Sequence, residues 1–252
     1  MERLEGKTIL VTGASRGIGA ETARILSERG ASVIAQYNSS PQGAEASTAG
    51  ARERLLVKAN FADPAAPAAL WSSAVGWKGR VDAVVCNAAI LPSAALDDSD
   101  EDWDRAWDDA LRVNTLAPAQ LLRRATLHHL DHGGGIIIGI SSWAAQRGTS
   151  NPTLTAYSAS KAALAAAVKS IAASYAAQGV LAYLVAPGVV NTEMSDFAAR
   201  SAGGVDAVTA QLAMKEWVPP TDVAELVAVL CEGRIRHLTG ATLDVNGASY
   251  IR

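Results

Sequence analysis

The apolar run Thr8-Ile9-Leu10-Val11 passes directly into Thr12-Gly13-Ala14-Ser15-Arg16-Gly17-Ile18-Gly19, and this junction constrains the fold more than any other part of the chain. A buried strand is predicted to end in a glycine turn that opens a helix. Gly13 permits a sharp reversal, Gly17 withholds a side chain where a pyrophosphate would approach, and Gly19 lets the helix lie close against the sheet. Free N–H groups and the positive end of the helix dipole then face any bound phosphate. The spacing Gly-x-x-x-Gly-x-Gly differs from the commoner Gly-x-Gly-x-x-Gly fingerprint, so the turn alone leaves other strand-turn-helix proteins open.

Beyond this junction, short β-type runs alternate with longer Ala/Leu-rich stretches to the end of the chain. Strands are expected near 7–12, 32–37, 55–58, 81–86, 136–141, 180–186 and 242–246. Helices are expected near 17–29, 43–53, 64–76, 101–130, 156–178 and 221–232, with a less regular stretch over 193–218. Such alternation implies right-handed βαβ crossovers. The expected fold is therefore α/β: a Rossmann-like, doubly wound parallel sheet of about seven strands with helices on both faces, in three α/β/α layers. Continuous apolar strands such as Ile136-Ile137-Ile138 fit burial on both sides. No linker, repeat or low-complexity tract interrupts the series, so residues 1–252 read as a single domain. In such sheets ligands bind beyond the carboxyl ends of the strands.

Composition narrows the function class. Hydrophobic residues make up 49% and charged residues 19% of the 252 residues, an ordinary globular balance. A net charge of −3 offers no basic field for nucleic acid or an anionic membrane. Met1 to Gly6 leads at once into the first strand, leaving no room for a secretory apolar region, and no apolar stretch approaches the ~20 residues of a spanning helix. Cys86 and Cys231 match neither a disulfide framework nor a metal site. Together these features point to a reducing, cytoplasmic setting. The four histidines lack zinc spacing; His128 and His129 are expected at the surface near a helix end.

Chemistry is concentrated after the fifth strand. Ser141-Ser142 closes it, and Tyr157-Ser158-Ala159-Ser160-Lys161 opens the next long helix. Residues four apart share a helical face, so the Tyr157 phenol and the Lys161 ammonium point into one pocket. Free tyrosine, with a pKa of about 10, is a poor base at neutrality, and a fixed positive charge nearby is expected to lower that value. Tyr157 could then exchange a proton with an alcohol or carbonyl while Ser142 hydrogen-bonds the same oxygen.

With these residues in this order, the chain resembles the short-chain dehydrogenase/reductase family along nearly its whole length. The matching positions are the glycine loop, Asn87-Ala88-Ala89, Asn114, Ser141-Ser142, Tyr157 with Lys161, Pro187-Gly188 with Thr192, Pro220 to Ala224, Thr239-Gly240 and Asp244 to Gly247. The resemblance implies that Tyr157 is the acid/base and that Ser142 holds the substrate oxygen. It assigns Lys161 to the nicotinamide ribose and to tuning Tyr157, and Asn114 to a helix distortion supporting a proton relay through water. For the cofactor it implies Gly13, Ser15, Arg16, Gly17, Ile18 and Gly19 at the phosphates, and Asn60 and Phe61 near adenine. Asn87 and Ala88 would line the adenosine side, and Pro187, Gly188, Val190 and Thr192 would seat the carboxamide. A homotetramer, or a homodimer, built through the helices at 101–130 and 156–178 and the last strand is also implied.

Several positions depart from the family pattern. Asn60 replaces a common Asp, although an amide oxygen still accepts a hydrogen bond from adenine. Ala89 and Ala248 stand where glycine is frequent. Trp103 and Trp107 both resemble the one family tryptophan, which suggests an extra turn before Asn114; spacing of four makes them packing residues. The connection from Ser142 to Tyr157 is about two residues longer than in compact relatives, which reshapes the substrate mouth around Trp143, Gln146 and Thr149.

Cofactor choice turns on the end of the second strand, where an acidic side chain would bind a ribose 2′-hydroxyl and repel a 2′-phosphate. Tyr37 occupies that position, followed by Asn38 and Ser39, and Arg16 can place a guanidinium beside a phosphate. NADP(H) is therefore favoured over NAD(H). The leading reading is an NADP(H)-dependent alcohol/carbonyl oxidoreductase acting on a small molecule, with 193–218 as a lid over the site. An NAD(H)-preferring sugar or polyol dehydrogenase and a non-catalytic dinucleotide sensor are the alternatives. A P-loop phosphotransferase is excluded because no Gly-Lys-Ser/Thr follows the turn.

Overall fold

The computed structural model describes residues 4–252, so the reading of the first three residues lies outside them. Seven strands form one parallel sheet: β1 (Thr8–Val11), β2 (Ser32–Tyr37), β3 (Arg54–Lys58), β4 (Ala83–Cys86), β5 (Gly135–Ile140), β6 (Val180–Pro187) and β7 (Thr242–Val245). Their spatial order is β3-β2-β1-β4-β5-β6-β7. The order reverses between β1 and β4, where Ile9 pairs with Ala83 and Val11 with Val85. That reversal opens a crevice at the carboxyl ends of the two strands.

Among the described residues ten α-helices connect the strands: α1 (Gly17–Glu28), α2 (Pro41–Ser47), α3 (Ala66–Lys78), α4 (Asp100–Leu111), α5 (Ala117–Asp131), α6 (Ala144–Arg147), α7 (Thr155–Tyr175), α8 (Glu193–Arg200), α9 (Val205–Gln211) and α10 (Pro220–Cys231). Alternate residues of each strand feed two separate cores. Ile9, Val11, Val33 and Val85 pack with Leu26 of α1 and Val223 and Val227 of α10. Leu10, Ile34, Val84 and Ile137 pack on the other face with Leu70 of α3, Leu121 of α5 and Leu164 and Val168 of α7. The three-layer α/β/α arrangement expected from the strand pattern is thus observed.

Three departures have local causes. The helix expected over 101–130 is divided by a π-helical turn at Arg112–Leu116, which joins α4 to α5. The helix expected over 43–53 stops at Ser47, where Thr48 Oγ1 turns back to bond the Ala44 carbonyl at 2.8 Å. The stretch 193–218 contains α8 and α9. Thr192 caps α8 by accepting from the Ser195 N–H, and Glu193 and Asp196 complement the dipole of its first turn.

His128 and His129 contradict the surface expectation. His129 is 0% and His128 9% exposed. The His128 Nε2 accepts from the Val81 N–H at 3.1 Å, and the His129 Nε2 lies 3.1 Å from the Val81 carbonyl. The pair satisfies both backbone groups of a buried residue just ahead of β4, which is why two imidazoles sit inside. Cys86 and Cys231 are free and buried, each thiol pushed up to about 12 by burial.

Ala248 carries φ +58°, the left-handed region that suits glycine. Ala248→Gly is expected to raise stability by about 0.5–1 kcal/mol, a melting shift of roughly 1–4 °C. Calorimetry that finds a lower melting temperature in the variant would contradict this origin of strain.

Candidate active site

A cavity of about 930 Å³ lies along the carboxyl ends of β1, β2, β4, β5 and β6. Its wall begins at the glycine turn. Gly13 and Gly17 have φ +69° and +56°, and a Cβ on Gly13 would come within 3.0 Å of the Ala88 backbone. A Cβ on Gly19 would run into the Gly13 carbonyl and the Asn87 amide, so Gly19 sets how closely α1 approaches the turn rather than facing the cavity. No side chain caps α1, which leaves its first N–H groups to the crevice.

Two residues that sequence reasoning passed over hold this turn. Thr12 Oγ1 accepts from the Asn87 N–H at 2.9 Å and the Ala88 N–H at 3.0 Å, while Asn87 Nδ2 donates to the Thr12 carbonyl at 2.9 Å. Gln36 Oε1 accepts from the Gly13 N–H at 2.7 Å and its Nε2 donates to the Ala59 carbonyl at 2.7 Å. A glutamine inside the apolar strand Val33 to Tyr37 was the available signal, because a buried amide must be hydrogen-bonded.

Ser15, Arg16, Gly17, Ile18, Asn38, Ser39, Asn60, Phe61, Asn87 and Ala88 all line the cavity. Tyr37 is not among its lining residues; it packs, partly buried, against the core that holds Val33 and Val85. Arg16 Nη1 is 2.7 Å from Glu193 Oε2, an ion pair across the mouth with both side chains about three-quarters exposed. At the far end Pro187, Gly188, Val190 and Thr192 line the wall, and a Cβ on Gly188 would come within 2.8 Å of Asn246. Val190 bridges Val218, which pins both ends of the segment containing α8 and α9.

Ser142, Tyr157 and Lys161 meet at this end on the cavity wall, Ser142 and Lys161 buried and Tyr157 half-buried. The Ser142 hydroxyl lies near enough to Tyr157 to act on its phenol. Ser142 Oγ also accepts from the Ala144 N–H at 3.1 Å, which fixes the hydroxyl at the opening of α6. Lys161 Nζ donates to the Ile140 carbonyl at 2.8 Å and lies 5.9 Å from the centre of the Tyr157 ring. Here the electrostatic expectation is corrected. Burial raises the Tyr157 phenol above its ordinary value, with the Ser142 hydroxyl opposing, and Lys161 is not close enough to reverse that. Burial also pulls Lys161 down to about 8.

Asn114 does not line the cavity. It sits buried in the π-helical turn, its Oδ1 accepting from the Ile90 N–H at 2.9 Å and its Nδ2 donating to the Ile90 carbonyl at 3.0 Å. The Trp103 and Trp107 rings lie 6.0 Å apart and tilted by 45° on one face of α4, as packing residues.

A family model described as enoyl-(acyl carrier protein) reductase matches residues 13–248. The chain belongs to the short-chain dehydrogenase/reductase family. It is 33% identical over 249 residues to a Staphylococcus aureus 3-oxoacyl-[acyl-carrier-protein] reductase FabG, covering 97% of this chain and 98% of that protein. Versicolorin reductase 1 of Aspergillus parasiticus is 33% identical, with 98% of each chain covered. Among solved structures, a short chain dehydrogenase from Burkholderia cenocepacia in complex with NADP superposes with TM-score 0.86 and 32% identity, over 98% of this chain and 99% of that one. Membership makes the protein an oxidoreductase of the Rossmann-like type. Among the described residues no helix is long and apolar enough to cross a membrane.

Proposed function

We propose that this protein transfers hydride between NADP(H) and a carbonyl or alcohol, working as a carbonyl reductase. The observation that carries the reading is the convergence of Ser142, Tyr157 and Lys161 on one end of the cavity wall, with Lys161 Nζ 5.9 Å from the Tyr157 ring centre. The residues present fit a dinucleotide. Left-handed glycines, an uncapped helix start and a cavity of about 930 Å³ suit a pyrophosphate flanked by two nucleosides. When bound, the nicotinamide supplies the hydride.

In this reading the glycine loop from Gly13 to Gly19 holds the phosphates, Asn60 and Phe61 the adenine, Lys161 the ribose hydroxyls, and Pro187, Gly188, Val190 and Thr192 the carboxamide. Tyr157 gives its proton to the carbonyl oxygen while Ser142 donates a hydrogen bond to the same atom. Asn114 holds the backbone around them and supports the proton relay. A raised phenol pKa keeps Tyr157 protonated at neutral pH, which favours the reductive direction, and the two named relatives are both reductases. Turnover of NADPH with a panel of ketones, repeated on Tyr157→Phe, tests the assignment.

NADP(H) preference rests on the absence of a carboxylate at the end of β2 and on Arg16 beside Asn38 and Ser39. Arg16→Ala is expected to lower kcat/KM with NADPH about tenfold, as loss of an exposed charged contact does, and to change NADH by less than about twofold. Equal losses with both coenzymes would remove Arg16 from the 2′-phosphate. A native preference for NADH would favour the polyol-type alternative.

We also read the chain as one cofactor-and-substrate unit in which α8 and α9 form the lid. Its copies would pair through α5 and α7 into a tetramer, since a groove of about 420 Å³ between those helices is lined by Leu122, Leu127, Ile171 and Tyr175. Light scattering that gives a monomer at micromolar concentration would exclude this assembly.

A further inference from the structure

Ser160 stands between the catalytic pair and the π-helical turn, and no role has yet been given to it. The residue is 0% exposed and precedes Lys161 by one position. Its Oγ accepts from Asn114 Nδ2 at 3.1 Å and donates to the Tyr157 carbonyl at 2.7 Å. Its own carbonyl accepts from Thr115 Oγ1 at 3.1 Å. Two successive residues of Arg112–Leu116 therefore grip one residue of α7, and that residue bonds back onto the turn bearing Tyr157.

We infer that Ser160 is a positioning residue, its hydroxyl coupling Asn114, and through Asn114 the Ile90 wall of the cavity, to the turn that carries Tyr157 and Lys161. The inference rests on the proposed roles of Tyr157 and Lys161. The geometry favours positioning over simple packing. Asn114 Nδ2 has two hydrogens; Ile90 takes one and Ser160 the other, so the amide is fully engaged only while the hydroxyl is present. Without it, one buried amide hydrogen loses its partner while the Thr115 bond to the backbone survives. The Tyr157 turn then keeps its helix but loses its registration against Ile90. A site of this kind is sensitive to displacements well under an ångström.

The test measures NADPH turnover on a ketone, across about pH 5 to about pH 10, for Ser160→Ala, Ser160→Thr, Asn114→Ala and the double alanine variant. Ser160→Ala is expected to lower kcat about tenfold, equivalent to about 1.4 kcal/mol, with cofactor KM held within about twofold. Ser160→Thr keeps the hydroxyl and should recover most of the loss. The double variant should be no slower than Asn114→Ala, because both changes break the same coupling. A wild-type kcat and pH profile in Ser160→Ala overturns the inference. So do losses that multiply in the double variant, or a Ser160→Thr enzyme as slow as Ser160→Ala. Tyr157→Phe separates the two levels: undiminished turnover there defeats the parent reading, whereas an inactive Tyr157→Phe beside a normal Ser160→Ala defeats only this one.

Discussion

Tyr157→Phe is expected to lower kcat for ketone reduction by about 10²–10⁴-fold, the usual worth of a positioned general acid. The substitution removes one oxygen and keeps the ring, so the packing at the start of α7 is retained. Ser142 keeps the Ala144 N–H at 3.1 Å, so its hydroxyl stays at the cavity wall. NADPH binding, followed by fluorescence, should weaken far less than turnover. Turnover within about twofold of the native enzyme would show that the proton comes from elsewhere.

The same pair sets the pH dependence. Reduction needs the Tyr157 proton, and burial holds that proton more tightly than water does, so the phenol does not limit the rate at neutral pH. Lys161, pulled down to about 8 by burial, loses its charge first as pH rises. Reduction rates should therefore decline above about pH 8, before the phenol titrates. The sequence alone suggested the opposite balance, a lysine acting on tyrosine. The correction comes from burial, which raises the phenol and lowers the ammonium, and which no pattern of residue types reveals.

Legibility followed the range of the interactions involved. Strand positions were readable because a strand buried on both faces has an unbroken apolar run, as at Ile136-Ile137-Ile138. The glycine turn was readable because left-handed backbone at Gly13 and Gly17 restricts the residue type. Ser142, Tyr157 and Lys161 were readable as a set, since each follows a strand end or opens a helix. Tyr37 stands outside the cavity lining because side chains alternate along β2 and Gln36 and Asn38 take the face toward it. Asn38 and Ser39 face it; Tyr37 does not. Thr12, Gln36 and Ser160 act through partners 23 to 76 residues distant or through their own helix, and local pattern says nothing about such partners. The two adjacent histidines failed for the same reason, because their partner Val81 lies 47 and 48 residues away.

Those histidines make acid the condition under which the fold should fail first. His129 has its Nε2 at 3.1 Å from the Val81 carbonyl and an Nδ1 without a partner, and a Cβ on Gly135 would overlap its ring. Burial pulls it down to about 4 from an ordinary 6.5; neighbouring His128 and Arg80 act in the same direction, with the Val81 carbonyl and Asp82 opposing. His128 is also lowered, by burial and then by His132, which stacks on it at 3.9 Å. Protonation would give His129 a second N–H with nowhere to go and would take from Val81 N–H its acceptor on His128. Because the folded value lies below the unfolded one, the stabilisation is complete above about pH 6.5 and declines as pH falls toward about 4. The loss from His129 is on the order of 3 kcal/mol, a large part of the roughly 5–15 kcal/mol that holds a domain folded. Urea midpoints measured between neutral and acid pH should fall steeply in the native protein. His129→Gln, which keeps a donor but does not titrate, should start less stable at neutral pH and show a shallower decline. A slope unchanged by that substitution would move the acid sensitivity to other groups.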